Sequence, residues 1–150
     1  WYWRIEKEVD VILYGKIDRV SENPETGTIL LIDYKKKKLP NKSDILGAGG
    51  DPQSISSFQM ALYLYLLEGQ GEVPLEAAYY SLEDYGFKAI YGGERPLMDE
   101  DQKDLVIHQL ERTINETAER IREGNYQIPL IDADSCPFRS ICRNRYTTAV

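Results

Sequence analysis

The sequence predicts an α/β (α+β) fold in which a sheet is flanked by helices, and three observations lead to this class. Apolar and polar residues alternate over positions 9–18, which is typical of a strand. The run at 29–32 is apolar on both faces, which indicates a second, central strand. Two later segments, 53–68 and 100–123, carry apolar residues at spacings of three and four, as amphipathic helices do.

The first two strands are expected to form an antiparallel hairpin. The first continues through Gly15 to Asp18, and Gly15 is predicted to mark a bend or bulge in it. Asn, Pro and Gly at 23–27 predict a turn, which would bring the second strand back beside the first. Positions 39–52, rich in Gly and Pro, are predicted to be a loop.

The first helix, at 53–68, is expected to bury one stripe of side chains. That stripe consists of Phe58, Ala61, Leu62, Tyr65 and Leu66. Gly69 and Gly71 are predicted to end the helix, and two further strands follow at 76–82 and 87–91.

The long second helix, at 100–123, has a second predicted buried stripe. That stripe consists of Ile107, Leu110, Ile114, Ala118 and Ile121. Asp99 and Gln102 resemble a capping pair at its start, and Gly124 is its expected end. The chain is therefore interpreted as one domain, 1–150, with an irregular tail over 130–150.

Length and composition exclude several classes of protein. The 150 residues are 42% hydrophobic and 29% charged, which suits one globular domain. No apolar run approaches the roughly 20 residues that cross a bilayer, so no membrane partner is expected. Two cysteines, Cys136 and Cys142, cannot build a disulfide-rich scaffold, and they predict a reducing, cytoplasmic location.

The charge is unevenly distributed along the chain. The formal net charge of -7 argues against a protein that simply coats nucleic acid. Eight positive charges nevertheless lie in two segments that contain no acidic residue. These charges are five lysines at 35–42 and the arginines Arg139, Arg143 and Arg145, so the remaining residues together carry a charge of -15. Such segments are either solvated loops or rims that attract phosphate.

Candidate catalytic residues lie on the second strand. Asp33 and Lys35 are two residues apart, so their side chains share one face of a strand. The predicted hairpin brings Asp18 beside Asp33, and two close carboxylates suit Mg²⁺ or Mn²⁺, with the backbone carbonyl of Tyr34 as a further ligand. A lysine there can orient or deprotonate a water molecule and stabilise charge on a phosphate. The alternative is an ordinary ion pair at a strand end.

Three sequence blocks occur in the order and spacing of a known family. They read GKIDRV at 15–20, IDYK at 32–35 and QMALY at 59–63. The set resembles the RecB-like branch of the PD-(D/E)XK nuclease superfamily. The tail, CPFRSICR at 136–143, looks like the C-terminal cysteine segment of AddB-type nucleases and CRISPR adaptation exonucleases. The resemblance therefore spans nearly the whole chain.

The resemblance implies a restriction-endonuclease-like core, in which a central mixed sheet is flanked by helices. It makes Asp18 and Asp33 the metal ligands and Lys35 the catalytic lysine. Gln59 and Tyr63, four apart on one helix face, would face the active site and steady the lysine or the DNA backbone. The alternatives are a polar helix edge for Gln59 and a place in the core for Tyr63.

The basic segments would then guide the DNA backbone. The residues expected to do so are Lys36, Lys37, Lys38, Arg139, Arg143 and Arg145.

The sequence departs from the RecB-like pattern before its first strand. Members of that branch carry a His or an acidic residue on an upstream helix, which completes the metal site. Here the single histidine, His108, lies off the stripe of the late helix and is expected to face solvent. Asp10 lies about 26 Å from Asp18 along a straight strand. The chain is therefore expected to be a fragment that lacks the first helix, and to bind metal or cut DNA poorly in isolation.

A second departure concerns iron. Iron–sulfur members of the family use four cysteines, the last three in a Cys-x2-Cys-x5-Cys spacing, whereas here Ala133 precedes Cys136 and Cys142. A cluster held by four thiolates needs four cysteines, so an iron–sulfur cluster is not expected.

The resemblance implies a metal-dependent deoxyribonuclease that acts in recombination or repair, beside a helicase. Whether it is an exonuclease or an endonuclease stays open. One alternative is a catalytically inactive nuclease fold that binds DNA or a protein partner within a larger complex. A second is a structural iron–sulfur module.

Overall fold

The computed structural model of the chain describes residues 2–7, 11–69, 71 and 76–125. Two compact units are present, residues 1–118 and residues 119–150, and only 119–125 of the second are described. The described elements are the strands β1 (Tyr2–Lys7), β2 (Val11–Lys16), β3 (Arg19–Glu22), β4 (Ile29–Lys35), β5 (Glu76–Ser81) and β6 (Gly86–Tyr91), and the helices α1 (Lys42–Leu46), α2 (Gln59–Glu68) and α3 (Glu100–Arg122).

A mixed four-stranded sheet forms the centre of the first unit. Its strand order is β3-β4-β5-β6. The pairs β3–β4 and β5–β6 are antiparallel, whereas β4 and β5 run parallel and are connected through α1 and α2. A parallel pair requires such a crossover because both strands start at the same end of the sheet. The turn predicted across 23–27 and the central position of β4 are confirmed. The hairpin itself is only partly as predicted, because β4 pairs with β3 (Arg19–Glu22), whereas the strand predicted over 9–18 pairs with β1.

A separate two-stranded sheet precedes the central one. β1 pairs antiparallel with β2, and Gly15 pairs with Trp3 in an unshifted register. The predicted bend or bulge at Gly15 is therefore wrong. A Cβ at Gly15 would lie 2.9 Å from the Leu66 side chain and 3.4 Å from the Tyr63 ring of α2. An added Cβ would therefore force the end of the Leu66 side chain to shift, because the strand passes directly against the helix.

The predicted first strand is interrupted before its expected end. β2 ends at Lys16, and pairing with β4 begins only at Arg19. Asp18 lies in the bend between them, and its side chain accepts a hydrogen bond from the Tyr34 backbone N–H, at 3.0 Å. The carboxylate thus takes the place of a backbone partner, and the strand breaks at this position.

The segment between β4 and α2 is more ordered than the sequence predicts. The predicted loop at 39–52 contains α1 and short 3₁₀ turns at Ala48–Gly50 and Pro52–Ser54. The helix expected over 53–68 begins only at Gln59. The backbone N–H groups of Ser56 and Ser57 donate to the carbonyl of Asp44, so the approach to α2 is fixed by α1 rather than by further helical turns.

The helix α2 is buried on more than one side. Its buried residues are Met60, Ala61, Tyr63, Leu64, Leu66 and Leu67. The single stripe predicted from the sequence is therefore wrong for this helix. A helix that packs against a sheet on one side and contacts β1 and β2 on another needs apolar residues around most of its surface.

The helix α3 matches its predicted bounds closely. Asp99 and Gln102 each accept from the other's backbone N–H, at 2.9 and 3.1 Å, which confirms the predicted cap. Leu110 lies in the core with Val106, and His108 is exposed as expected. Ile121 is 52% exposed, so its predicted place in the buried stripe is wrong. None of the helices within the described ranges is long and apolar enough to cross a bilayer.

Candidate active site

The centre of the candidate site is a buried carboxylate on β4. Asp33 is 2% exposed and lies on the face of the sheet that α2 covers. Burial raises the pKa of the Asp33 carboxyl above its ordinary value, because the charged form loses its hydration. The Lys35 ammonium opposes this rise, and the negative charge of Asp18 adds to it.

Lys35 lies two residues further along β4, on the same face as Asp33. Its Nζ lies 2.8 Å from Asp33 Oδ2, and the side chain is 25% exposed. The lysine therefore reaches from the buried carboxylate to solvent. The alternative of an ordinary surface ion pair does not describe this arrangement, since the carboxylate is almost fully enclosed.

Gln59, the first residue of α2, connects the members of the site. Its Nε2 donates to Asp33 Oδ1 and to Tyr63 Oη, both at 2.9 Å, while its Oε1 accepts from Lys35 Nζ at 2.5 Å. All of its amide groups are thus engaged, and only this orientation of the amide lets it donate to a carboxylate. The alternative of a polar helix edge for Gln59 does not fit these three bonds.

Tyr63 serves the core and the site together. Its ring is buried and packs beside Gly15, and its hydroxyl accepts from Gln59. Tyr63 therefore has a place in the core, and its hydroxyl also faces the site, where its role in steadying the lysine or the DNA stays a prediction.

Tyr79 on β5 is a neighbour of the site that sequence reasoning missed. It pairs in register with Asp33, is fully buried, and its ring centroid lies 5.3 Å from Lys35 Nζ. Burial raises its pKa to about 12. Its Oη lies close to Ser57 and the backbone of Met60 but makes no hydrogen bond of good geometry among the described residues. Nothing local in the sequence reports a pairing between residues this far apart.

Asp18 completes the group that the structure brings together. It is exposed and is held at the end of the β3–β4 ladder by the Tyr34 N–H. The backbone thus fixes its carboxylate near Asp33 and Lys35, at the solvent side of the site.

Two carboxylates form the donor set that the site offers to a divalent ion. Asp33 Oδ2 is buried and has no well-directed hydrogen bond, and the Asp18 carboxylate lies nearby. No group of three or more His, Cys, Asp or Glu side chains that could hold an ion occurs within the described ranges. Mg²⁺ is commonly held by one or two carboxylates together with water and substrate oxygens, so the residues fit such an ion.

The remaining predicted residues divide into two groups. Lys36, Lys37 and Lys38 follow β4 and are exposed to solvent. Asp10 and the predicted tail lie outside the described residues. The tail contains Cys136, Cys142, Arg139, Arg143 and Arg145, so these residues are not described either.

Comparison with known proteins gives one match. A family model described as the PD-(D/E)XK nuclease superfamily matches residues 2–143, a range that contains every residue of the candidate site. A search of curated proteins and a search of solved structures found no match. The mixed sheet and its helices agree with the restriction-endonuclease-like fold of that superfamily, which confirms the predicted fold class.

Proposed function

Because the chain belongs to the PD-(D/E)XK nuclease superfamily, we propose that it is a metal-dependent DNA nuclease with its active site at Asp18, Asp33 and Lys35. The superfamily supports a nuclease-type function. The single observation that carries the site assignment is the buried cluster of Asp33, Lys35 and Gln59. A carboxylate enclosed at a cost in free energy, and fixed by residues from a strand and a helix, is typical of functional sites.

Asp18 and Asp33 are the proposed metal ligands, with the backbone carbonyl of Tyr34 as a third. Mg²⁺ or Mn²⁺ bound there would supply Lewis acidity toward a phosphate oxygen and an activated water. The chain contributes a preformed pair of carboxylates, one buried and one exposed, so no large rearrangement is needed to create the negative site.

Lys35 is the proposed catalytic lysine. An ammonium has three N–H donors, of which one donates to Gln59 Oε1, while the charge pairs with Asp33 Oδ2 at 2.8 Å. A remaining N–H can donate to the attacking water or to a phosphate oxygen. As water attacks phosphorus and the bond to the leaving oxygen breaks, negative charge builds on the phosphate. A fixed ammonium stabilises that charge.

Gln59 and Tyr63 are proposed to position Lys35 and Asp33. The Gln59 amide sets the distance between the two charged groups, and the Tyr63 hydroxyl fixes the amide. A lysine held this way loses little freedom when substrate binds.

The basic residues are proposed to hold the DNA backbone. Lys36, Lys37 and Lys38 begin directly after Lys35, so phosphates bound to them lie beside the site. The same role for Arg139, Arg143 and Arg145 rests on the sequence alone.

The three sequence blocks support assignment to the RecB-like branch. On that resemblance, the proposed role is recombination or repair in the cytoplasm, beside a helicase.

The experiment is a cleavage assay with the purified full-length protein on linear DNA, because this chain alone is expected to cut poorly. Cleavage is expected with Mg²⁺ or Mn²⁺ and is expected to stop in EDTA. Asp33→Ala should abolish it, while Asp101→Ala, which removes an exposed carboxylate at the start of α3, should leave the rate unchanged. A closed circular substrate in parallel separates endonuclease from exonuclease activity.

Two outcomes would change the assignment. Equal cleavage by wild type and Asp33→Ala contradicts the proposed site. DNA binding by the wild type without cleavage in either metal favours the second candidate, an inactive nuclease-fold binding module. The observation behind that candidate is the small donor set of two carboxylates within the described ranges.

A further inference from the structure

The sheet face opposite the active site carries a row of three aromatic rings. Tyr34, Tyr80 and Phe87 are in register across β4, β5 and β6. The Tyr34 and Tyr80 ring centroids are 5.7 Å apart, and those of Tyr80 and Phe87 are 4.8 Å apart, both edge to face. We call these three residues the aromatic row. Because side chains alternate along a strand, the row faces away from Asp33 and Lys35.

The aromatic row is open to solvent at both of its ends. Phe87 is 64% exposed and Tyr34 is 37% exposed. The turn that follows β5 adds Leu82 and Tyr85, which are also exposed. Exposed apolar side chains that gather in one place mark binding surfaces more often than scattered ones do.

A shallow groove extends from the row along the same face. It has a volume of about 340 Å³, and its lining includes Phe87, Ala78 and Ala89 together with the carboxylates Glu76 and Glu94 at its far end. The small residues beside the exposed ring leave room for another planar group next to Phe87, whereas the two glutamates disfavour phosphates further along the groove.

Positive charge lies next to the aromatic row. The carbonyl of Lys35 accepts from the Leu82 backbone N–H at 2.9 Å, so the end of β4 is tied to the turn beside the row. The exposed lysines Lys36, Lys37 and Lys38 start from that end. Glu83 and Asp84, also exposed, occupy the turn itself, so a polyanion is favoured on the lysine side and disfavoured over the turn.

We propose that the aromatic row binds unpaired nucleic-acid bases by stacking, while Lys36, Lys37 and Lys38 hold the phosphates between them. Aromatic platforms with a flanking basic path are how proteins bind single strands without reading sequence. This inference rests on the proposed nuclease function and names its substrate class as single-stranded DNA or a single-stranded end. Tyr34 lies between Asp33 and Lys35 in the chain, so a strand bound to the row crosses the end of β4 to reach the active site.

The experiment measures binding rather than cleavage. Fluorescence anisotropy is recorded with a labelled oligothymidylate of about 20 nucleotides and with a duplex of equal length, in EDTA. Tighter binding of the single strand is expected. Phe87→Leu, which keeps an apolar side chain but removes the ring, should raise the Kd for the single strand at least about fivefold, because one stacked base is lost. Phe87→Trp should retain wild-type affinity.

A matched control removes an exposed apolar side chain elsewhere. Leu105→Ala on α3 should leave the Kd unchanged. Tyr80→Ala, in the middle of the aromatic row, provides a second test and should weaken single-strand binding as Phe87→Leu does.

Three results would overturn the inference. The first is an unchanged Kd in both Phe87→Leu and Tyr80→Ala. The second is equal or tighter binding of the duplex. The third is self-association of the wild type that Phe87→Leu abolishes with no change in the Kd, since the row would then contact a second copy of the chain.

The inference and the proposed function fail separately. Binding is measured without a divalent ion, so ring-dependent single-strand binding by a protein that never cleaves DNA keeps the aromatic row and rejects the nuclease. Metal-dependent cleavage by a protein whose DNA binding does not depend on the rings keeps the nuclease function and rejects the aromatic row as the binding site.

Discussion

Asp33 is a proposed metal ligand whose burial lowers the stability of the folded protein. Its carboxylate is enclosed between β4 and α2, and the pKa of the group is raised by that burial despite the nearby lysine. The folded protein therefore binds the Asp33 proton more tightly than the unfolded chain does. It follows that the ionised carboxylate destabilises the fold at neutral pH. Such a loss of stability is expected where a carboxylate is kept to bind a metal ion.

Replacement of Asp33 by its neutral isostere is expected to stabilise the protein. Asp33→Asn should raise Tm at pH 7 in EDTA, with each kcal/mol of relieved cost worth about 2–4 °C. The difference in Tm between Asp33→Asn and the wild type should become smaller as pH falls through the raised pKa of Asp33, because the wild-type carboxyl then becomes neutral too. Thermal denaturation followed by circular dichroism measures this, and a lower Tm for Asp33→Asn at pH 7 would refute it.

Gln59 acts through three hydrogen bonds rather than through charge. Gln59→Leu removes all of them while preserving the shape of the side chain, so Lys35 and Asp33 are no longer held at a fixed distance. The rate of DNA cleavage is expected to fall about 10- to 100-fold, mainly in kcat, with little change in KM. Gln53→Leu, at an exposed position, is the control. A change in KM alone would indicate a binding role for Gln59 instead.

Much of the candidate site could be predicted at this scale, and some could not. Each of the five candidate residues belongs to a short sequence block within one segment, and the structure brings these blocks together. The residues are Asp18, Asp33, Lys35, Gln59 and Tyr63. Tyr79 and the aromatic row depend on the register between β4 and β5. That register is set by packing between segments far apart in the chain, and no local pattern reveals it.

Among the elements, the segment from β4 to α2 is the one that the sequence describes least well. Its glycines and prolines predict a loop, but α1 is stabilised by tertiary contacts that bury Ile45 and Leu46. A short helix of this kind has little intrinsic stability, so composition alone does not reveal it. The segment matters because it fixes where α2, and hence Gln59, begins.

Gly47 is the point at which this segment tolerates least change. Its φ of 84° is unfavourable for other residues, and an added Cβ would lie 1.8 Å from the Asp51 carbonyl oxygen. Gly47→Ala is therefore expected to lower the free energy of unfolding by about 2 kcal/mol or more. Chemical denaturation measures the change.

Gly49→Ala provides the matched control for this substitution. Gly49 also has a positive φ, 65°, but no atom lies within 4 Å of an added Cβ. It should cost only about 1 kcal/mol. Equal losses in the two variants would show that the contact with Asp51 is unimportant.

Over the whole molecule, the uneven charge fits a protein that meets nucleic acid at one place. The acidic body is interrupted by the lysines that follow β4, directly beside the site. Local positive charge of this kind can bind phosphates despite a net charge of -7, because screening limits the repulsion from distant acids.

The salt dependence of DNA binding reports on these lysines. Combined substitution of Lys36, Lys37 and Lys38 by Ala should lower the slope of log K against log salt by about 2 to 3, since fewer counterions are released. Anisotropy titrations at several salt concentrations measure the slope. Substitution of the exposed Lys16 by Ala should have little effect, and an unchanged slope in the triple variant would place the DNA elsewhere.

The overall fold was predictable in its elements but not in their arrangement. Alternating and apolar runs predict most of the strands, and the capping pair predicts the start of α3. The parallel pairing of β4 with β5 and the packing of α2 on several sides arise only when the elements meet. Sequence periodicity describes one element at a time, so it does not contain this information.

The most direct measurement of the central claim is the single-turnover rate of Mn²⁺-dependent cleavage of linear DNA, with protein in excess, for wild type and Lys35→Ala. When the protein concentration is also well above the Kd for DNA, these conditions remove differences in binding from the rate. A loss of about 100-fold or more is expected, because Lys35 stabilises charge in the transition state, while Lys16→Ala should cleave as the wild type does. Equal rates for wild type and Lys35→Ala would contradict the assignment of the active site to β4 and α2.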